Sequence, residues 1–109
     1  MIRSPTTAAL TALVALALVG CAAPPGPADI AAQACDAQVQ EQVQSRPYRL
    51  DLAALAASKT DDDRGGFLLA APVTVNLGLA NQAVQRLECV VRLSGEPPVA
   101  EVVNLRFIW

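Results

Sequence analysis

Residues 67–79 read FLLAAPVTVNLGL, and this stretch decides the fold. Within it, the apolar residues that would share one face of an extended chain are Phe67, Leu69, Ala71, Val73, Val75, Leu77 and Leu79. Thr74 and Asn76 would lie on the other face. A repeat of two predicts a β-strand, because the apolar residues of an amphipathic helix recur every three or four positions. One face of this strand is therefore expected to line a core.

Two later stretches alternate in the same way. Residues 86–93 would point Leu87, Cys89, Val91 and Leu93 to one side, against Arg86, Glu88 and Arg92 on the other. In residues 99–109, the side chains expected to face inward are those of Val103, Leu105, Phe107 and Trp109. Turn-forming residues at 80–82 and 94–98 can close two hairpins between these strands. The pattern predicts an antiparallel meander.

A helix is predicted upstream of the strands, over residues 30–45, which are rich in alanine and glutamine and lack glycine and proline. Ala32, Cys35, Val39 and Val43 recur at spacings of three and four and form one stripe. Asp29 is the expected N-cap, and Arg46-Pro47 the expected end.

Residues 48–59 are ambiguous, because Tyr48, Leu50 and Leu52 alternate whereas Leu52, Leu55 and Ala56 suit a helical turn. We expect a strand up to about Ala54, followed by a polar loop at 60–66.

The first 20 residues have the composition of a secretory signal peptide. Arg3 precedes an apolar run, residues 8–19, in which only Thr11 is polar. A membrane-spanning helix needs about 20 residues, so this run fits the apolar region of a signal peptide better than a transmembrane or buried helix. The run ends in Leu18-Val19-Gly20-Cys21, which resembles the lipobox of bacterial lipoproteins.

This resemblance implies a lipid anchor. Cleavage would follow Gly20, a diacylglycerol would be attached to the sulfur of Cys21, and the new N-terminus would be acylated. Three acyl chains, at about 0.8 kcal/mol per buried CH₂, would hold the protein on a membrane. Ala22 follows the modified cysteine, which implies sorting to the outer membrane, facing the periplasm. No narrower family is identified.

The chain is thus expected to have three parts. Residues 1–20 are the signal peptide, residues 21–28 a proline-rich tether, and residues 29–109 one small domain. The tether contains three prolines and Gly26, which disfavour both a regular helix and a central strand. No second linker and no internal repeat divides the remainder.

Two cysteines remain if Cys21 is lipidated, and the envelope is an oxidising compartment. Cys35 belongs to the apolar stripe of the helix and Cys89 to the apolar face of a strand, so the two would meet in the core. A bridge between them would constrain the unfolded chain by about 4 kcal/mol. We expect a structural disulfide; the alternatives are a redox pair, although no CxxC motif is present, and buried free thiols.

The predicted fold class is therefore α+β. One N-terminal amphipathic helix packs on a three- to four-stranded antiparallel meander and is linked to it by the Cys35–Cys89 disulfide. The apolar sides of the helix and the sheet must meet, because neither has another large surface to bury.

The residue types argue against catalysis. The chain has no histidine, and no nucleophile elbow, phosphate-binding loop or dinucleotide fingerprint is present. Residues 61–63 are three aspartates, but Arg64 follows directly, so the spacing of a calcium loop is absent and a solvated loop tip is expected. A net charge of −2 argues against nucleic acid. We expect no enzyme activity, no metal and no cofactor.

One feature suggests a partner. A single helix can cover only one face of a sheet, and the other face would carry aliphatic residues, namely Leu68, Ala70, Val90, Val102 and Ile108. Such a face can be an interface, an ordinary surface with scattered aliphatic residues, or a surface covered by residues 48–59.

We therefore expect a non-catalytic envelope lipoprotein that binds a protein partner as an accessory component. The alternative is a small inhibitor or ligand-binding module, similar in size and disulfide use to lipoprotein lysozyme inhibitors. Its loop 94–98 would then enter an enzyme cleft.

The lipid anchor is directly testable. Replacing Cys21 by serine removes the thioether-forming sulfur, so Cys21→Ser should leave an unprocessed precursor or a soluble form. Intact-mass analysis of the wild-type protein should find an acylated Cys21 as the mature N-terminus. Any other mature N-terminus would contradict the lipoprotein interpretation.

Overall fold

The computed structural model describes residues 25–109, and the predicted signal peptide and Cys21 lie outside them. Two helices and five strands follow one another. They are α1 (Pro27–Val43), β1 (Tyr48–Leu50), α2 (Leu52–Ala57), β2 (Thr60–Asp61), β3 (Phe67–Val75), β4 (Ala83–Ser94) and β5 (Val99–Ile108). The fold is α+β, with one antiparallel sheet and one disulfide, as the sequence predicts.

The sheet has the strand order β1-β3-β4-β5. β3 pairs with β4 along its whole length, from Phe67 opposite Val91 to Val75 opposite Ala83. The other edge of β3 is shared, because β1 pairs with its last three residues and β2 with its first two. The three long strands form the expected meander, and β1 and β2 complete one side of it.

Pro72 lies in the gap between β1 and β2. Residues 69–72 have no partner strand on that edge, and the Ala70 N–H is instead bonded to Ser58 Oγ at 2.8 Å. In a strand, residues two apart direct their backbone N–H groups to the same side. Pro72 is two residues after Ala70, so the position of its missing N–H lies at the same unpaired edge of β3. A proline in the middle of this strand therefore costs no ladder hydrogen bond.

α1 covers one face of the sheet with the predicted stripe. Ala32, Cys35, Val39 and Val43 are all buried, as is Ala31. Their partners in the core come from β3 and β4, with Leu69, Val73, Leu87, Cys89 and Val91 all fully buried. The core is thus one layer of side chains between helix and sheet.

The start of α1 differs from the prediction. The N-cap is Gly26, Pro27 is in the first turn, and Asp29 lies inside the helix. Proline suits a first helical position, where its missing N–H would have no partner, and an acidic residue favours the first turn. The last residues assigned to the tether are therefore the first turn of the helix.

The segment after β1 is also helical rather than extended. β1 ends at Leu50, and the Asp51 side chain accepts a hydrogen bond from the Ala54 N–H at 3.1 Å, which caps α2. The strand expected up to Ala54 is therefore wrong beyond Leu50. The cap satisfies a free N–H of the first turn, and α2 buries Leu55 completely.

β3 ends at Val75, four residues earlier than predicted. Asn76 and Gly78 have positive φ angles of 54° and 78°, which turn the chain out of the sheet. Asparagine and glycine tolerate this conformation better than other residues. Leu79 is consequently half exposed, and β4 begins at Ala83.

A bulge in β5 changes which residues face the core. Val91 pairs with Val102 and Val90 with Asn104, so Val103 has no partner of its own. The extra residue reverses the alternation. Val102, expected on the outward face, packs against the core, whereas Val103, expected inside, is 49% exposed. Leu105 and Phe107 lie on the core side, as predicted, but Trp109 follows the strand and is 90% exposed.

The predicted disulfide is confirmed. Cys35 on α1 and Cys89 on β4 are bonded, with 6.2 Å between their Cα atoms, and neither is exposed to solvent. Cys89 lies in the middle of the central strand, opposite Leu69 on β3 and Leu105 on β5. The bond therefore connects the helix to the centre of the sheet.

Removing the disulfide should destabilise the domain whichever cysteine is replaced. Cys35→Ala and Cys89→Ala should each lower the free energy of unfolding by about 2–5 kcal/mol. The double variant should lose little more, since either single change already removes the bond. The measurements are a count of the two thiols in the denatured, unreduced protein and urea unfolding of the three variants. Two reactive thiols, or additive losses, would contradict a shared bond.

Candidate functional site

The candidate site is the sheet face that the helices leave uncovered. α1 and α2 both pack on the opposite face, and no other helix is present in residues 25–109. We call this the outer sheet face, and its residues alternate with the core residues of each strand: Arg49, Thr60, Leu68, Ala70, Pro72, Thr74, Val84, Arg86, Glu88, Val90, Arg92, Ser94, Val99, Glu101, Asn104, Arg106 and Ile108.

The structure places three of the four proposed interface residues on this face. Leu68 and Val90 are directly opposite each other on β3 and β4, and both are half-buried. Ile108 is paired with Arg86, so it lies two rows of the sheet away from them. Val102 does not belong to the face, because the bulge directs it to the core.

A charged cluster separates the two aliphatic ends of the face. Arg106 Nη2 is 2.6 Å from Glu88 Oε1, and Arg86 Nε is 3.2 Å from Glu88 Oε2. The Glu88 side chain is only 19% exposed, whereas those of the two arginines are 60–61% exposed. Hydrogen bonds from Arg106, and then from Arg86, lower the pKa of Glu88 below its ordinary value. The carboxylate therefore fixes two guanidinium groups on an open surface.

The charge of the outer sheet face is opposite to that of the chain. The face carries four arginines and two glutamates, whereas the chain as a whole has a net charge of −2. The remaining acidic residues lie on α1, at Asp51 before α2, at residues 61–63 and at Glu96 in the β4–β5 turn. A polarised surface of this kind attracts acidic partners and orients them.

Shallow depressions lie at the two ends of this face. One, of about 320 Å³, is bordered by Pro72, Val84 and Ile108 together with Trp109. The other, of about 410 Å³, is bordered by Val90, Val103 and the acidic loop at Asp62 and Asp63. The arrangement provides apolar contact at both ends and cationic groups between them.

Sequence reasoning missed a second concave site, on the core side of the sheet. Gln85 belongs to the inward face of β4, in phase with Leu87, Cys89 and Val91. It lines a pocket together with Asn76, and each is only 8% exposed. A polar residue in an apolar phase was the signal available in the sequence.

Residues 25–109 contain neither a candidate metal cluster nor a helix that could span a membrane. Within residues 25–109, no group of three or more acidic or cysteine side chains is placed to hold a metal ion. In the same residues, neither helix has the length and hydropathy needed to cross a membrane.

Comparison with protein-family models finds no match, and comparisons with curated proteins and with solved structures find none either.

The Glu88 cluster gives a pH prediction. A carboxyl group whose pKa is lower in the folded protein stabilises the fold at neutral pH, and this contribution disappears as the pH falls through the folded pKa. NMR titration of the Glu88 carboxyl carbon should therefore give a pKa below that of an unpaired glutamate. Arg106→Gln should raise this pKa, because it removes the shorter hydrogen bond.

Arg92→Gln is the matched control, since Arg92 lies on the same strand face without contacting Glu88 in the described structure. If Arg106→Gln left the pKa of Glu88 unchanged, this would contradict the hydrogen bond between Arg106 and Glu88.

Proposed function

We propose that this chain is a non-catalytic, lipid-anchored lipoprotein of the bacterial cell envelope that binds a protein partner through the outer sheet face. The observation that supports this role is the absence, in residues 25–109, of any element covering that face along β3, β4 and β5. The aliphatic side chains there are only half-buried by their neighbours. A partner surface would complete their burial.

The anchoring part of the proposal rests on residues 18–21, which resemble a lipobox. With an acylated Cys21, the six residues to Pro27 could span at most about 20 Å. The domain would then lie close to the bilayer surface. Its partner would be another envelope protein at the same membrane, and Ala22 favours the outer membrane.

The composition of the outer sheet face defines the chemistry of the partner. The Leu68–Val90 pair offers apolar contact, and the cations of the whole face, Arg49, Arg86, Arg92 and Arg106, exceed its acidic groups by two. Arginine is enriched in protein interfaces because it combines charge with a broad apolar stem. The complementary surface is therefore aliphatic towards its two ends and acidic between them.

A ligand-binding module is the second candidate function. The observation that favours it is the pocket lined by Gln85 and Asn76, two amides buried at the edge of an otherwise apolar core. This role does not require catalysis, and it could coexist with partner binding.

Position-specific cross-linking tests the partner surface. A photoreactive amino acid at Arg92, on the outer sheet face, should yield a defined adduct with an envelope protein in intact cells. The same amino acid at Gln33, an exposed residue of α1, should not yield it. Adducts of equal yield and pattern from both positions would contradict binding through this face.

Val90→Thr should reduce the yield of the adduct, because threonine keeps the β-branched shape but replaces a methyl with a hydroxyl group. The matched control is Leu52→Thr, at an exposed position of α2, which packs on the opposite face of the sheet. Circular dichroism melting should confirm that both variants are folded. An adduct yield unaffected by Val90→Thr would mean that Val90 is not part of the interface.

A further inference from the structure

A pocket of about 330 Å³ opens at one end of the layer between α1 and the sheet. Gln42 and Arg46 border it from the end of α1 and the following loop, and Asn76 from the turn after β3. Gln85 on β4 contributes to the lining, and Phe107 and Trp109 border it from the end of β5. Its volume is at the lower end of the range for small-molecule sites.

Two amides in this pocket lack protein partners. Asn76 and Gln85 are each 8% exposed, and within residues 25–109 neither side chain makes a hydrogen bond to another protein group. No polar side-chain atom in the described residues is both fully buried and unpaired, so these amides keep access to the pocket. Burying an amide without a partner costs free energy, which a ligand or water in the pocket would offset.

The backbone beside the pocket is also unusual. In residues 25–109, Gln44 and Asn76 are the two residues other than glycine with positive φ angles, 57° and 54°. Asn76 lines the pocket, and Gln44 lies between the lining residues Gln42 and Arg46. Such conformations carry a cost for residues with a Cβ, and they cluster at ligand sites.

The remaining groups define the chemistry of a ligand. Amides donate and accept hydrogen bonds, as hydroxyl groups do. The Arg46 Nε donates to the Val43 carbonyl at 3.1 Å, which holds the guanidinium group at the rim as a further donor. Phe107 and Trp109 supply aromatic surface on one side. No lining residue is acidic, so the pocket offers no carboxylate to a cationic ligand.

We propose that this pocket binds a neutral sugar ring. A sugar has hydroxyl groups at its edge for the amides of Asn76 and Gln85 and the Arg46 guanidinium, and apolar C–H faces for the aromatic rings. This proposal does not depend on the outer sheet face, because the pocket opens on the other side of the sheet.

The fluorescence of Trp109 tests the proposal directly, because it is the only tryptophan of the chain. Glucose and N-acetylglucosamine should each change its emission saturably, with millimolar Kd values. The protein is the full lipidated chain in a zwitterionic detergent, since sugar-based detergents would compete. Mannitol is the control ligand, because it has hydroxyl groups but no ring. No saturable change with either sugar, or equal binding of mannitol, would overturn the proposal.

Variants locate the site. Gln85→Leu removes the amide at nearly constant volume and should weaken sugar binding by about tenfold or more. Gln33→Leu, at an exposed position of α1 outside the pocket, is its matched control and should have no effect. Arg46→Gln, at the exposed rim, should also weaken sugar binding. It therefore tests the site even if Gln85→Leu does not fold. Unchanged sugar affinity in Arg46→Gln and in a folded Gln85→Leu would place binding elsewhere.

Discussion

The disulfide between Cys35 and Cys89 is the constraint on which the rest of the structure depends. The domain has a single layer of core side chains, and many of these are alanine or valine, which bury little area each. A small core of this kind gains much from a cross-link that restricts the unfolded chain. Because Cys89 is in the middle of β4, the same bond also fixes α1 over the centre of the sheet, and this determines which sheet face stays open.

The outer sheet face stays uncovered because residues 25–109 contain too few helices to cover both sides of the sheet. One long helix and a six-residue helix cover one side of the sheet, and nothing in residues 25–109 covers the other. The Glu88 cluster lies between the two aliphatic ends of the outer sheet face, so the face does not form one continuous apolar patch. Salt bridges this exposed contribute little to stability, so in the proposed function the fixed guanidinium groups would serve recognition rather than the fold.

The sequence allowed the fold class, the stripe of α1 and the disulfide to be predicted, because each depends on a repeat that spans many residues. The features that could not be predicted from the sequence each depend on a single residue that fits two different local structures. Pro27 fits both a tether and a first helical turn, and Asp51 can either extend β1 or cap α2. The two adjacent valines at 102 and 103 are equivalent in sequence, and only the pairing with β4 decides which one bulges. For the same reason Leu68, Val90 and Ile108 lie on the outer sheet face as expected, whereas Val102 was misplaced.

The two candidate sites are physically connected. Gln85 and Arg86 are neighbours on β4 that point to opposite sides of the sheet, one into the sugar pocket and the other into the charged cluster. Trp109 borders both that pocket and the depression beside Ile108 on the outer sheet face. A ligand that contacts Trp109 in the pocket would therefore change the surface available in the depression beside Ile108. If a ligand in the pocket changes the affinity of the outer sheet face for a partner, linkage requires that the partner change the affinity of the pocket by the same factor.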